Sequence, residues 1–202
     1  MVLESSYNSN RTRKEIGVSI TPVYANFFGV PEKDRVLSNA IAKSLNTLAH
    51  SEDNPHINLI AFNTDPKVGD LSIIKHTIEE LVPLLKKNVK VIAYCGNIDE
   101  FVEKLSLLDV IVCCKYHSIL FSYLLEKPIL AINYHPKNET LVCDVGLPQN
   151  SLISLDDILD GKLSLALNKI VSQPHKFKAA LPVISAEEKA TQAASYCLKG
   201  IL

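Results

Sequence analysis

Residues 109–114 read DVIVCC, and this stretch decides the fold class. Its middle is apolar at every position, which is typical of a strand covered on both faces in the centre of a parallel sheet. Residues 116–125 follow as a predicted helix, and residues 128–132 (PILAI) form a second apolar run. Strand, helix and strand in this order predict one right-handed βαβ unit.

The same alternation extends along the chain on both sides of this unit. Further strands are predicted at residues 16–20, 57–62, 89–94 and 152–153, and further helices at 34–49, 70–87, 98–107, 137–145, 155–171 and 186–198. Asp70 is a plausible N-cap of the 70–87 helix, and Pro83 should kink or break it. The pattern predicts an α/β fold: a Rossmann-like, doubly wound parallel sheet of about six strands with helices on both faces.

The length of 202 residues predicts one such domain, over residues 14–202. Residues 1–13 are polar and have no apolar periodicity, so we expect a flexible N-terminal arm there. No apolar run of about 20 residues is present, which predicts no membrane span. The first residues also lack the apolar stretch of a signal peptide, so the expected location is the cytoplasm.

Charge and glycine spacing exclude several function classes. Lys and Arg number 21 against 22 Asp and Glu, a balance that argues against a nucleic-acid partner. The seven glycines stand at least twelve positions apart, as Gly17 and Gly29 do. That spacing excludes the dinucleotide-binding loop, the Walker A loop and the nucleophile elbow of hydrolases.

Cysteine and histidine spacing gives no indication of a metal site. The five cysteines form no C-x-x-C pair, and the six histidines form no H-x-x-x-H pair. Cys113 and Cys114 end an apolar run, where cysteine is commonly a small buried apolar residue. No metal and no cofactor are therefore expected.

Polar side chains follow several predicted strands at the points where the strands end. The candidate site residues at these ends are Asp65, Lys115, Tyr116, His117, Ser118, Tyr134, His135 and Lys137. Ligands of open α/β sheets bind beyond the carboxyl ends of the strands. The free N–H groups at a helix start attract anions, and Lys115 and Lys137 each add a positive charge beside one. These residues predict a site for a small phosphorylated or carboxylated ligand.

Six of these residues also have a purely structural interpretation. The two lysines can be solvated surface charges, and His117 or Ser118 can cap the helix that starts at residue 116. His135 lies in a Tyr-His-Pro sequence typical of a turn, and Asp65 before Pro66 is typical of a turn as well.

The sequences Lys115-Tyr-His117 and Tyr134-His-Pro-Lys137 resemble the polysaccharide pyruvyl transferase family. That family shows Arg-Leu-His after an apolar strand and Tyr-Asp-Pro-Lys after the next strand, at a similar interval. Gly146-Leu147 and residues 154–157 (SLDD) fit the later part of the family pattern. The resemblance covers about residues 55–160.

The resemblance implies one half of a GT-B-like fold, corresponding to the C-terminal, donor-side domain. It implies transfer of a pyruvyl group from phosphoenolpyruvate to a saccharide, as a ketal, in cell-surface polysaccharide synthesis. In this interpretation His117 is the general acid/base. The implied substrate-binding residues are Lys115, Tyr116, Ser118, Tyr134, His135, Lys137 and Asp65. Phosphoenolpyruvate is then a donor substrate, and no cofactor or metal takes part.

Two departures from the family pattern keep other functions open. Lys115 and His135 stand where the family has Arg and Asp, and a lysine cannot reproduce the two parallel hydrogen bonds of arginine. The chain is also about half the family's length. Alternatives are a non-catalytic or split-enzyme binding module that needs a separate N-terminal domain or a second copy, and a GT-B glycosyltransferase domain. Against the latter, no acidic E-x6-E pattern occurs near the fourth strand.

Overall fold

Six parallel strands form one sheet within residues 13–50 and 55–183, the parts of the chain that the computed structural model describes. They are β1 Glu15–Ser19, β2 His56–Ala61, β3 Lys90–Ala93, β4 Val110–Cys113, β5 Ile129–Asn133 and β6 Leu152–Ser154. The strand order is β3-β2-β1-β4-β5-β6, and every neighbouring pair is parallel. The predicted Rossmann-like doubly wound sheet is confirmed.

Helices cover both faces of this sheet, as predicted. Their bounds are α1 Glu32–Asn46, α2 Leu71–Glu79, α3 Pro83–Lys86, α4 Ile98–Ser106, α5 Tyr116–Leu124, α6 Pro136–Asp144, α7 Leu155–Leu159 and α8 Leu163–Ser172. Helices α1, α2, α3, α7 and α8 share one apolar core with the sheet. Helices α4, α5 and α6 share a second core with its other face.

The buried strands explain why the sheet forms in this order. All four residues of β4 are buried, as expected for a central strand, and alternate residues of β4 enter the two cores. On β1, Gly17 faces crowded side chains: an added Cβ would lie 2.6 Å from Leu108 Cδ1 and 2.9 Å from Ile60 Cδ1. The missing side chain lets the neighbouring apolar groups pack over the centre of the sheet.

Two predicted helices are interrupted. The 70–87 helix is broken into α2 and α3 at Pro83, as its sequence indicated. The 155–171 helix is likewise two helices, α7 and α8, because Gly161 between them has a φ of +80°. The predicted helix at 186–198 and nearly all of the predicted arm at 1–13 lie outside the described residues. No described helix is long and apolar enough to cross a membrane.

Candidate ligand site at the switch point of the sheet

The strand order reverses between β1 and β4, and this places a crevice beyond their carboxyl ends. Helix α1 leaves β1 toward one face, and α5 leaves β4 toward the other. Open α/β sheets bind ligands at such a point. We call it the switch-point edge; it comprises residues 20–28 after β1 and 114–118 after β4, flanked by 62–70 after β2 and 134–137 after β5.

A buried ion pair joins two of these segments. The ammonium of Lys115 lies 2.7 Å from Asp70 Oδ1 and donates to Asp70 Oδ2 at 2.9 Å. Asp70 is fully buried, and the Lys115 side chain is 18% exposed. The positive charge expected from Lys115 is therefore largely compensated within the protein. Lys115 can therefore offer a ligand its remaining ammonium hydrogen-bond donor, but little uncompensated charge.

Asp70 also organises the loop after β2. Its Oδ2 accepts hydrogen bonds from the backbone N–H groups of Phe62 and Asn63, both at 2.9 Å. The prediction that Asp70 caps the following helix is wrong, because its side chain makes no capping hydrogen bond. The carboxylate instead points back toward the sheet, where it can meet Lys115 from β4.

The start of α5 at the switch-point edge is uncapped. Its N-cap position is Lys115, whose side chain makes no capping hydrogen bond. Ser118 and His117 do not cap it either, contrary to the structural alternative above: the Ser118 hydroxyl donates to the Lys115 carbonyl at 2.6 Å. Within the described residues, the backbone N–H groups of Tyr116, His117 and Ser118 have no hydrogen-bond partner. They can therefore bind an anion at this helix start.

His117 and Tyr116 are exposed at this helix start. Their rings meet edge to face, with centroids 5.9 Å apart. His117 makes no side-chain hydrogen bond or ion pair to any described residue. Its imidazole is therefore available to exchange a proton with a ligand in the crevice.

The segment after β5 brings Tyr134 to the same edge. Burial raises the pKa of Tyr134, and the nearby Cys114 thiol and Asp70 carboxylate raise it further. The Tyr134 ring packs against the core that contains Cys114, and its centroid lies 5.0 Å from that of Phe27 in the loop after β1. Its hydroxyl stays protonated at neutral pH and can donate a hydrogen bond.

His135 and Lys137 form the start of α6. His135 Nδ1 accepts the backbone N–H of Lys137 at 3.2 Å, so this histidine caps α6. The Lys137 side chain is exposed and makes no ion pair within the described residues. Lys137 is thus the uncompensated cation of this segment, unlike Lys115.

Asp65 is a turn residue in the structure. Its Oδ1 accepts the N–H groups of Val68 and Lys67, at 3.0 and 2.8 Å. These two hydrogen bonds lower the pKa of Asp65. The carboxylate shapes the loop after β2, and the turn interpretation accounts for all its described contacts.

The end of β1 carries two buried hydroxyls without partners. Ser19 Oγ and Thr21 Oγ1 are fully buried and make no hydrogen bond to any described residue. Unsatisfied polar atoms are rare in protein interiors, and each needs an explanation. Here both lie at the end of the strand that forms one wall of the crevice.

Sequence reasoning about the site missed three residues that lie at the switch-point edge or directly beside it. They are Asp70, Phe27 in the loop after β1, and Asp34, which holds that loop from the first turn of α1. Polar residues before a helix and aromatic residues in a loop are common, so none of them carries a local signal. Among the described residues, no group of three His, Cys, Asp or Glu side chains could hold a metal ion.

Comparison with known proteins gives one family match. A family model described as polysaccharide pyruvyl transferase matches residues 2–136. The match starts earlier than the predicted resemblance and ends just before Lys137, leaving residues 146–157 outside it. No curated protein matches the chain.

Nine chains of solved structures match the fold. One is the NMR solution structure of ALG13, with 16% identity over 83% of this chain and 89% of that chain, at a TM-score of 0.48. Another is the crystal structure of TarM, with 15% identity over 80% of this chain and 30% of that chain, at a TM-score of 0.43.

Proposed function

Since the chain belongs to the polysaccharide pyruvyl transferase family, we propose that it moves a pyruvyl group from phosphoenolpyruvate to a saccharide in cell-surface polysaccharide synthesis. The observation that carries the proposal is the uncapped start of α5, where the exposed His117 lies beside three free backbone N–H groups. An anionic donor and a proton-transfer group are thereby brought to one place.

The protein binds phosphoenolpyruvate through the negative charges of its phosphate and carboxylate groups. In this proposal the N–H groups of Tyr116, His117 and Ser118 bind the phosphate or the carboxylate, favoured by the positive end of the α5 dipole. Lys115 contributes a remaining ammonium N–H, and Lys137 contributes charge from the neighbouring segment. Because Asp70 holds the Lys115 side chain in place, this ammonium N–H group meets the ligand at a fixed position.

The chemistry needs one proton delivered and two removed. The methylene carbon of phosphoenolpyruvate is protonated, and a saccharide hydroxyl adds to the adjacent carbon. The bond from that carbon to the phosphate oxygen then breaks. A second hydroxyl of the same saccharide adds to the same carbon, which gives the ketal and inorganic phosphate. Of the two hydroxyl protons, one balances the new methyl group and the other leaves with phosphate.

His117 is the general acid/base of this scheme. An imidazole changes its protonation state near neutral pH, and a group of that kind suits both the delivery and the removal of protons. Tyr134, protonated at neutral pH, donates a hydrogen bond to the substrate from the opposite side of the edge. Tyr116 contacts the His117 ring and helps to set its orientation.

Release of inorganic phosphate from phosphoenolpyruvate, in the presence of a panel of saccharides, tests the proposal. His117→Ala should lower turnover by about 10²- to 10⁴-fold. The matched control is His175→Ala, which removes an exposed histidine of the segment after α8 and should leave turnover unchanged.

Unchanged turnover in His117→Ala would contradict the assigned role. Binding of phosphoenolpyruvate without phosphate release from any saccharide would favour the binding-module alternative. Turnover with a nucleotide sugar in place of phosphoenolpyruvate would favour the glycosyltransferase alternative.

A further inference from the structure

The loop after β1 presents two phenyl rings to solvent. Residues Tyr24–Phe28 form one turn of π-helix in which no residue is buried. Phe27 is 52% exposed and Phe28 is 53% exposed. Short π-helical turns are frequent at functional sites, and exposed aromatic rings are unfavourable unless something covers them.

Polar contacts, rather than burial, fix this turn in place. The carboxylate of Asp34 accepts the N–H groups of Tyr24 and Ala25 at 2.9 and 2.8 Å. The amide of Asn26 donates to the carbonyl of Val68 at 3.2 Å, which ties the turn to the loop after β2. The rings are thus carried on an anchored backbone, as a binding surface requires.

Phe27 reaches across the switch-point edge. Its ring centroid lies 5.0 Å from that of Tyr134 and 6.1 Å from that of His135. Since β1 and β5 both neighbour β4, this contact spans the end of β4. Because Lys115 follows β4 directly, the aromatic pair borders the same crevice as the Lys115–Asp70 pair.

We propose that Phe27 and Tyr134 form a stacking platform for the pyranose ring of the acceptor saccharide; this inference rests on the proposed function. One face of a pyranose presents C–H groups, and these are attracted to the electron-rich face of an aromatic ring. The Tyr134 hydroxyl supplies a hydrogen-bond donor at the edge of the platform. An aromatic wall with few polar groups at its rim is the usual make-up of a small-ligand site.

Phe28 provides a matched control within the same turn. It is as exposed as Phe27, but its ring packs against Tyr24, with centroids 5.7 Å apart. Tyr24 lies on the α1 side of the turn, where the Lys33 ammonium approaches its ring to 5.8 Å. Removing the Phe28 ring therefore shows whether any disturbance of the turn weakens binding, because it leaves the contact between Phe27 and Tyr134 intact.

The experiment measures saccharide affinity and donor affinity separately for the full chain. Methyl pyranosides are titrated in the absence of phosphoenolpyruvate, and phosphoenolpyruvate is titrated in the absence of saccharide. Phe27→Ala should weaken pyranoside binding by about tenfold, the upper range for one aromatic contact. Donor binding should be unchanged. Phe28→Ala should alter neither affinity, and Phe27→Trp should restore pyranoside binding.

Three results would overturn the platform. The first is equal loss of pyranoside binding in Phe27→Ala and Phe28→Ala. The second is unchanged pyranoside binding in Phe27→Ala. The third is a change in self-association of Phe27→Ala with saccharide affinity intact, which assigns the ring to a protein contact instead. Pyranoside binding that depends on Phe27, without phosphate release, would support the platform while contradicting pyruvyl transfer.

Discussion

The carboxylate of Asp70 holds three groups at once: the N–H of Phe62, the N–H of Asn63 and the ammonium of Lys115. All three lie at the switch-point edge, and the carboxylate is fully buried. A charge in that position is tolerated only because it is paired and hydrogen-bonded. Asp70 therefore fixes the position of Lys115 and of the loop after β2.

Asp70→Asn should lower the free energy of unfolding by about 2–4 kcal/mol, because it leaves Lys115 without its counter-charge in a mostly buried place. The value lies toward the low end for broken buried pairs because Lys115 retains some contact with water. Urea denaturation measures the change. As a control, Glu100→Gln breaks the exposed pair with Lys104 and should leave the free energy of unfolding almost unchanged. Equal losses in the two variants would contradict a buried structural pair.

Thiol reactivity gives a second test at the scale of single residues. Burial raises the pKa of the Cys113 and Cys114 thiols to about 12, so neither forms the reactive thiolate at neutral pH. Cys95 and Cys143 are exposed. Brief iodoacetamide treatment followed by peptide mass analysis should label Cys95 and Cys143 first. Labelling of Cys113 or Cys114 in the folded chain at the same rate would be inconsistent with a closed sheet.

Among the elements, the π-helical turn after β1 depends on one side chain. The Asp34 carboxylate, buried in the first turn of α1, accepts both N–H groups that open the turn. Burial raises the pKa of Asp34, and those hydrogen bonds partly offset the effect. The turn and α1 therefore behave as one unit.

Asp34→Ala should loosen the turn without unfolding the sheet. We expect faster amide hydrogen exchange at Tyr24 and Ala25, and a loss of stability of about 1 kcal/mol. Exchange at β1 residues such as Val18 should hardly change. If the Tyr24 and Ala25 amides exchange at the same rate in the variant, the anchoring role of Asp34 is wrong.

Strands and helices were predictable from the sequence where neighbouring residues determine them. The buried strands, the break at Pro83 and the helix after His135 all follow from residues within a few positions. The Gly161 break was missed because apolar spacing continues through it. Contacts between residues far apart in the sequence were not predictable. Lys115 meets Asp70, and Phe27 meets Tyr134, because the strand order brings their loops to the same edge of the sheet. The sequence likewise left open whether His117 or Ser118 caps α5, and the structure shows that neither does.

Across the whole molecule, a polar cluster lies at the amino ends of the strands, opposite the switch-point edge. Glu15 on β1 contacts His56 Nδ1 and the Asn58 amide, each at 2.8 Å. Burial raises the pKa of Glu15, but the hydrogen bonds from Asn58 and His56 outweigh it, so the pKa lies below its ordinary value. This cluster ties β1 to β2 at the end of the sheet away from the site.

Acid should therefore weaken the fold through Glu15. A carboxyl group with a lowered pKa stabilises the folded state above its ordinary pKa, and that contribution is lost as pH falls through the lowered value. Stability of the native chain should decline as pH drops below about 4.5, the ordinary value. Glu15→Gln should show a shallower decline in urea melts over that range. An equal slope in both chains would contradict the lowered pKa.

The proposed function requires that the anionic donor bind at the start of α5, within the switch-point edge. A second candidate place lies next to it: a pocket of about 240 Å³ near the starts of α1 and α2, lined by Arg35 and His76 together with Ala25, Asn26 and Lys67 from the edge itself. Both places carry groups that can attract phosphoenolpyruvate. A titration can show which of the two binds it.

Titration of the ¹⁵N-labelled chain with phosphoenolpyruvate, followed by amide chemical shifts, tests the central claim most directly. We expect saturable shifts that are largest at Tyr116, His117 and Ser118 and are reduced by Lys137→Met. Shifts centred on Arg35 and His76, or none at millimolar phosphoenolpyruvate, would contradict a donor site at the start of α5.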